Sequence, residues 1–123
     1  MIIISQPKLE VRENEVLVSS CIEDDKKHFR ETIFYKTSAT YRPYVVTEKA
    51  DLFLSALMPA LFSQSDIRVE GTLSSDLKYA LENGLIYILA KTYGVRPIKV
   101  HAERIETFEF GGKAVGAGCS MGV

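Results

Sequence analysis

The sequence predicts an α+β protein, in which a small mixed sheet opens with an antiparallel meander and is covered by two helices. Three observations support this class. Short segments of alternating apolar and polar residues occupy the first 35 positions, apolar residues recur at helical spacing over about residues 48–64 and 75–93, and another alternating segment follows. The length of 123 residues and the apolar share of 46% suit one domain with a packed core.

The meander is predicted from four short strands separated by turn residues. Residues 2–4 are apolar, residues 9–12 alternate, and Pro7 between them is expected at a sheet edge or in a turn. Residues 15–22 and 29–35 form two further alternating segments, separated by a charged turn at residues 23–27. Such a series of adjacent strands favours antiparallel pairing.

The first predicted helix covers about residues 48–64. Thr47 is expected to cap it, with Glu48 in its first turn. Pro59 lies inside this segment and cannot donate to the carbonyl of Ser55, so we expect a kink there.

The second predicted helix covers about residues 75–93, capped by Ser74 or Ser75 and ended by Gly94. Its apolar stripe is expected to be continuous and to include Gly84, where a glycine would allow another backbone to approach closely. The stripe comprises Leu77, Ala80, Leu81, Gly84, Leu85, Ile88 and Leu89. A strand at residues 66–70, ended by Gly71, precedes this helix, and a strand at residues 98–105 follows it, so the three form a candidate parallel unit.

Charge and cysteine content restrict the functional classes. The net charge of −1, from 15 basic and 16 acidic residues, argues against a nucleic-acid interface dominated by phosphate contacts. Cys21 and Cys119 form no metal-binding or disulfide pattern, and the apolar run at the N-terminus is too short for a signal peptide or membrane span. We therefore expect a cytoplasmic protein. The sequence leaves its oligomeric state open, and a homodimer is one of the assemblies considered.

The last ten residues, Ala114 to Val123, carry the main functional signal. They read as a small-residue strand that runs into a Ser/Gly turn, which is an arrangement that holds a phosphate or exposes a nucleophile. Because such a turn needs a helix after it, we expect an N-terminal domain at residues 1–105. Residues 106–123 would be a connector and the first strand of a truncated nucleotide-binding domain. Gly111 and Gly112 suit either a hairpin or a joint between the two.

The segment Ser120-Met121-Gly122-Val123 resembles the start of the Ser-Gly-Gly-x-Asp-Ser signature of PP-loop ATP pyrophosphatases. Met121 stands where that family has Gly, and the signature's Asp and second Ser fall beyond Val123. Upstream, Val69-Glu70-Gly71, Leu73-Ser74, Leu77 and Leu81 resemble the N-terminal region of bacterial PP-loop proteins of unassigned substrate, as do Asp51-Leu52-Phe53 and Leu57-Met58.

The resemblance implies an ATP-binding protein that uses Mg²⁺, adenylates a small-molecule acceptor and releases pyrophosphate. Ser120 and Gly122, with Gly118 and Met121, would then hold the phosphates, and the N-terminal domain would position the acceptor or pair subunits. The present chain is expected to be inactive alone.

Two alternative functions remain open. Gly118-Cys119-Ser120-Met121-Gly122 also fits the G-x-S-x-G elbow of α/β-hydrolases, with Ser120 as nucleophile. The other alternative is a non-catalytic interaction domain with a Gly-rich tail.

Other candidate sites are weaker. Tyr35, Tyr41 and Tyr44, with Lys36 and Arg42, either stack on a base or sugar or form an ordered loop packed on the sheet, and we favour the loop. Glu23-Asp24-Asp25 is expected to be a solvated turn, and His101 has no ligand-spaced neighbour, so no metal site is predicted.

Overall fold

The computed structural model describes residues 1–107 and confirms the α+β class. Six strands form one mixed sheet: β1 (Ile2–Ile4), β2 (Lys8–Arg12), β3 (Glu15–Asp24), β4 (Phe29–Ser38), β5 (Ile67–Ser74) and β6 (Val100–Glu106). The helical segments are two 3-10 helices (Ala39–Tyr44 and Asp51–Ala56), three α-helices, α1 (Leu57–Phe62), α2 (Ser75–Ala80) and α3 (Ile86–Tyr93), and a π-helical turn (Leu81–Leu85).

The sheet has an antiparallel half and a parallel half. β3 pairs with β4 along its whole length, and its other edge pairs with β2 near its start and with β1 near its end, all antiparallel. β1 then pairs with β5, and β5 with β6, in parallel. The meander and the parallel strand–helix–strand unit therefore both form as predicted.

The core lies between the parallel half of the sheet and the helices. Apolar side chains from β1, β5 and β6 pack there against Phe53, Leu61 and Ile86 of the helical layer. These strands contribute Ile2, Ile4, Ile67, Val69, Leu73 and Val100. Burial of this continuous apolar set supplies most of the favourable free energy of folding.

The first helical region is shorter than predicted, running from Asp51 to Phe62. Thr47 does not cap it: Ala50 precedes the helix without a side-chain bond, and its N–H donates to the Thr72 carbonyl over 2.9 Å. The chain before Asp51 is thus held against β5 rather than wound into a helix. The region changes from 3-10 to α geometry at Leu57. Pro59 lies in the first turn of α1, where its missing N–H is not needed, so the interior position from which a kink was predicted does not occur.

The second helical region covers Ser75 to Tyr93, as predicted, but its apolar stripe is not continuous. The π-helical turn adds a residue, so the buried face advances five positions, from Leu81 to Ile86, before it continues to Ala90. Leu85 and Ile88 of the predicted stripe are consequently exposed. Ala80, which precedes the π-helical turn, is exposed as well.

The π-helical turn is attached to the sheet through Glu82. Its Oε1 accepts from the Val100 N–H at 3.3 Å, and its Oε2 lies 2.7 Å from the Lys78 ammonium. Burial alone would raise the pKa of Glu82, but the hydrogen bonds from Lys78 and Val100 outweigh it and the pKa lies below its usual value. The ionised carboxylate therefore joins the helix to the first residue of β6.

Two glycines differ from their predicted roles. Gly71 does not end its strand, because β5 continues to Ser74 through a bulge between Val69 and Thr72. Gly71 has φ +145°, and a Cβ there would collide with the side-chain oxygen of Gln6. Gly84 has no close neighbour: apart from its own helix backbone, no heavy atom of the described residues lies within 4 Å of a Cβ built on it.

Candidate ligand-binding groove

A groove opens on the helix-bearing face of the sheet, above its antiparallel half. Its volume is about 610 Å³, within the range of small-molecule sites. Strands β3 and β4, the segment between the two 3-10 helices, and one residue of α2 surround it. The lining residues are Val16, Val18, Tyr35, Lys36, Thr37, Tyr44, Val45, Val46, Lys49, Asp51, Leu52 and Leu77.

Tyr35 forms one wall of the groove in a fixed orientation. It lies on β4 directly opposite Val18 of β3, so both side chains share the face that carries the helices. Its ring packs tilted against Phe53, with centroids 5.6 Å apart. Its hydroxyl is 3.4 Å from Ser55 Oγ and 3.5 Å from the Leu52 carbonyl oxygen. The ring is therefore positioned by the core beneath it.

Tyr44 also lines the groove and is 79% exposed. It ends the 3-10 helix that starts after Ser38, whose hydroxyl accepts from the Thr40 N–H. Pro43 restricts φ immediately before Tyr44, and the Val45 N–H closes the turn on the Arg42 carbonyl at 3.1 Å. The backbone is thus ordered while the Tyr44 ring remains accessible to a ligand.

The structure divides the aromatic and basic cluster predicted from the sequence. Tyr35 and Tyr44 line the groove, whereas Tyr41 and Arg42 do not. Lys36 borders it, but its side chain alternates with Tyr35 and points to the opposite face, where its ammonium is 3.4 Å from Glu15 Oε1. The predicted loop is ordered as the 3-10 helix Ala39–Tyr44, which buries none of its residues, and its Tyr44 lines the groove.

Two charged residues that the sequence analysis did not name as site residues, Lys49 and Asp51, line the groove together with the tyrosines. Lys49 is only 8% exposed. The Asp51 carboxylate accepts two hydrogen bonds from Ser74, one from its N–H at 3.0 Å and one from its hydroxyl at 2.6 Å. The Ser74 hydroxyl in turn accepts from the Leu77 N–H as the N-cap of α2. Asp51 thus connects the groove to the start of the second helix.

A second, polar depression of about 490 Å³ lies where β1 ends and the sheet divides between β2 and β5. Its two arginines have contacts within the protein. The Arg30 Nε is 3.1 Å from Cys21 Sγ, and the Arg104 Nε donates to the Thr72 hydroxyl. Lys8, Glu70 and Glu103 complete its charged lining. Three basic and two acidic residues therefore line this depression.

Acidic residues and His101 occupy structural positions. Asp24 accepts from the backbone N–H groups of Lys26 and Lys27, which orders the hairpin turn after β3, and Asp25 pairs with the N-terminal amine at 2.8 Å. His101 lies 4.0 Å from Asp66 on the exposed surface. Within residues 1–107, no three His, Cys, Asp or Glu side chains come together as a metal site.

The residues predicted to bind phosphate, Gly118, Ser120, Met121 and Gly122, lie outside the described residues, as does the glycine pair at residues 111–112. Of the residues that line the groove, the sequence analysis named only Tyr35, Lys36 and Tyr44 as a candidate site. Lys49 and Asp51 fall within the predicted first helix, and no local pattern indicates that they lie beside β3 and β4.

Comparisons with known proteins leave the family open. No protein-family model matches the chain, and no curated protein matches it. Among solved structures, the chain is similar to the Fowlpox virus resolvase, determined in complex with a Holliday junction DNA substrate, at 16% identity. The match covers 92% of this chain and 66% of the resolvase chain, with a TM-score of 0.23, which is too low to support a conclusion. No helix in the described part of the chain has the length and hydropathy needed to cross a membrane.

Proposed function

We propose that this chain is the N-terminal part of an ATP-dependent protein that adenylates a small acceptor and releases pyrophosphate. In this proposal, residues 1–107 position the acceptor and residues 114–123 begin the phosphate-binding element. The observation that carries the positioning role is the groove: it has the volume of a small-molecule site, apolar walls and few polar groups.

The chemistry is divided between the two parts. ATP, when bound, would supply the adenylyl group. The Ser120 hydroxyl and the backbone N–H groups near Gly122 would hold its phosphates, because donors at the start of a helix attract anions and glycine leaves room for them. The groove would fix the acceptor's body, so that its reactive oxygen meets ATP in one orientation. A cytoplasmic location belongs to this proposal, since Cys21 is a free thiol.

The direct test is binding of ATP and release of pyrophosphate by the complete gene product. We expect Ser120→Ala to weaken ATP binding and Cys119→Ala, a substitution at the adjacent position, to leave it unchanged. Residues 1–123 alone should show no specific ATP turnover. Turnover by this chain, or equal ATP binding by the Ser120→Ala and unsubstituted proteins, would contradict the assignment.

A non-catalytic interaction domain is the second candidate, and the same groove favours it. Residues 1–107 contain this groove, and the acidic side chains of Asp24, Asp25 and Glu82 serve turns and helix contacts. This alternative predicts a ligand for the groove and no nucleotide binding by the complete gene product.

A further inference from the structure

We infer that the outer edge of β4 pairs with β4 of a second copy of this chain, antiparallel and about a two-fold axis at Phe34. Three features of β4 support this pairing: its length and regularity, the direction of its basic side chains, and the register in which two copies fit. The adenylation proposal makes no use of this edge, so the pairing stands or fails independently of it.

β4 is a long and regular edge strand. It runs over ten residues, Phe29–Ser38, and among the described residues it pairs with β3 alone, without a shift in register. It contains neither proline nor glycine, and all of its residues except Ile33 and Thr37 are exposed. Proteins usually protect such an edge by shortening it, by a bulge, or with proline or charged residues. β2, on the other side of β3, is protected in this way, since it has five residues and three of them are charged.

The basic side chains of β4 lie back over β3 and leave the edge open. The Arg30 Nε is 3.1 Å from Cys21 Sγ, and the Lys36 ammonium is 3.4 Å from Glu15 Oε1. Cys21 and Glu15 both belong to β3. Phe34, midway between the two basic residues, is 58% exposed. The edge therefore presents an aromatic ring, and its cations are drawn towards the interior of the sheet.

Alternate residues of β4 present their backbone groups to the free edge. The Ala39 N–H, one residue beyond the strand, donates to the Asn14 carbonyl at 2.9 Å and continues the register between β3 and β4. Ala39 and every second residue before it therefore bond to β3, and the residues between them direct their N–H and C=O groups outward. The outward residues are Arg30, Thr32, Phe34, Lys36 and Ser38. Another strand can bond to these groups by adding to the sheet.

Symmetry and charge select one register for two copies of β4. A two-fold axis perpendicular to the sheet keeps the faces of both copies on the same sides, so it must pass at a residue of each strand. Two such registers pair nine residues of each copy. An axis at Ile33 sets Arg30 directly against the other copy's Lys36, twice, and like charges in that position are destabilising. An axis at Phe34 sets Thr32 against the other copy's Lys36 and places no like charges directly opposite each other.

The register centred on Phe34 also brings apolar side chains together on both faces. The two Phe34 rings meet at the axis on one face, and Ile33 lies against the other copy's Tyr35, twice, on the face that carries the helices. Aromatic pairs and pairs of an aromatic with a β-branched residue stabilise antiparallel sheets. Because one strand pair is a small interface, we expect a dissociation constant in the micromolar range or weaker.

The test is sedimentation equilibrium of residues 1–123 from micromolar to millimolar concentration, where we expect a monomer–dimer equilibrium. Phe34→Lys removes the ring pair and sets two ammonium groups against each other, so it should weaken dimerisation at least about tenfold. Val11→Lys is the matched control. It adds the same charge at a similarly exposed position, 49%, on β2, and should change the dissociation constant by no more than about twofold. Far-UV circular dichroism establishes that both variants fold.

A gain of affinity tests the register independently of Phe34. Thr32→Glu places a carboxylate opposite the other copy's Lys36, twice, and should tighten dimerisation about fivefold. Adding Lys36→Gln should remove that gain, because the new carboxylate then has no ammonium opposite it. With an axis at Ile33, Thr32 would lie opposite Phe34 and the substitution would bring no gain.

Three results would overturn the inference: a monomer at millimolar concentration, equal effects of Phe34→Lys and Val11→Lys, or no tightening by Thr32→Glu. The measurements contain no nucleotide, so none of these results bears on ATP binding by the complete gene product.

Discussion

Ser74 and Ser75 are adjacent, chemically identical candidates for the cap of the second helix, and the structure predicts very different consequences for their removal. Ser74 accepts from the Leu77 N–H and donates to the Asp51 carboxylate over 2.6 Å. Ser75 makes one exposed contact, 3.1 Å from the Thr107 hydroxyl. Ser74→Ala should therefore destabilise the protein strongly, and Ser75→Ala should not.

The magnitude follows from the two interactions that Ser74→Ala removes. Loss of the cap costs about 0.5–2 kcal/mol, and loss of a hydrogen bond to a carboxylate costs about 1.5–3 kcal/mol. Because Asp51 is only partly buried and keeps its bond from the Ser74 N–H, we expect the lower part of the combined range, about 2–4 kcal/mol. Ser75→Ala should remain within about 0.5 kcal/mol of the unsubstituted chain.

Urea denaturation followed by far-UV circular dichroism measures both variants, and each kcal/mol should also lower Tm by about 4 °C in a domain of this size. Ser74→Thr, which keeps the hydroxyl, should recover much of the loss. A double-mutant cycle with Asp51→Asn should show coupling, since the two side chains are in contact. Equal effects of Ser74→Ala and Ser75→Ala would refute the assignment of the cap and of its connection to Asp51.

Three further predictions concern glycine positions and pH. Gly84→Ala should raise the free energy of unfolding by about 0.5–1 kcal/mol, because the added methyl meets no neighbour and alanine is the better helix former; a loss of stability in urea denaturation would contradict this. Gly71→Ala should lower the free energy of unfolding by about 1–3 kcal/mol through backbone strain, in addition to the clash with Gln6. Adding Gln6→Ala removes the clash and should restore only part of the stability, and full restoration would show that strain contributes nothing. Folding lowers the pKa of Glu82, so its carboxylate stabilises the folded protein. This stabilisation should be present when the pH is above 4.5, the usual pKa of the group, and should be lost as the pH falls through the lower pKa of the folded state. Glu82→Gln should therefore be less stable near neutral pH and flatten the stability profile below about pH 4.5, and a profile parallel to that of the unsubstituted chain would exclude this role.

Local pattern was sufficient to predict the strands, the antiparallel pairing of β2 with β3 and of β3 with β4, and the extent of the second helix. The strands alternate apolar and polar residues, and short turns separate β2 from β3 and β3 from β4, so chain neighbours also become pairing partners. The extent of the second helix was likewise predictable, from Ser74 or Ser75 at its start and Gly94 at its end. Gly94 has the left-handed conformation, φ +68°, that commonly ends a helix.

The features that could not be predicted depend on contacts between residues distant in sequence. Which serine caps the helix is decided by Asp51, 23 residues before Ser74. The π-helical turn has no sequence signal, because Leu81, Leu85 and Ile88 have ordinary helical spacing. Its Glu82 is instead bound to Val100, 18 residues further along the chain. Local propensity carries no information about such partners, so a helix of uniform α geometry was the natural expectation.

The position of the groove follows from how the two halves of the sheet are covered. Parallel strands β5 and β6 need a crossover, and the helices of that crossover cover the parallel half. The antiparallel strands β2, β3 and β4 are joined by turns, which place no helix on their faces. The 3-10 helix at Ala39–Tyr44 and the segment after it cover this half only in part, and Leu9, Val11 and Tyr35 remain exposed there. An apolar cavity therefore forms where the helical layer ends, and the residues that decide its specificity are the ones that only the tertiary structure brings together.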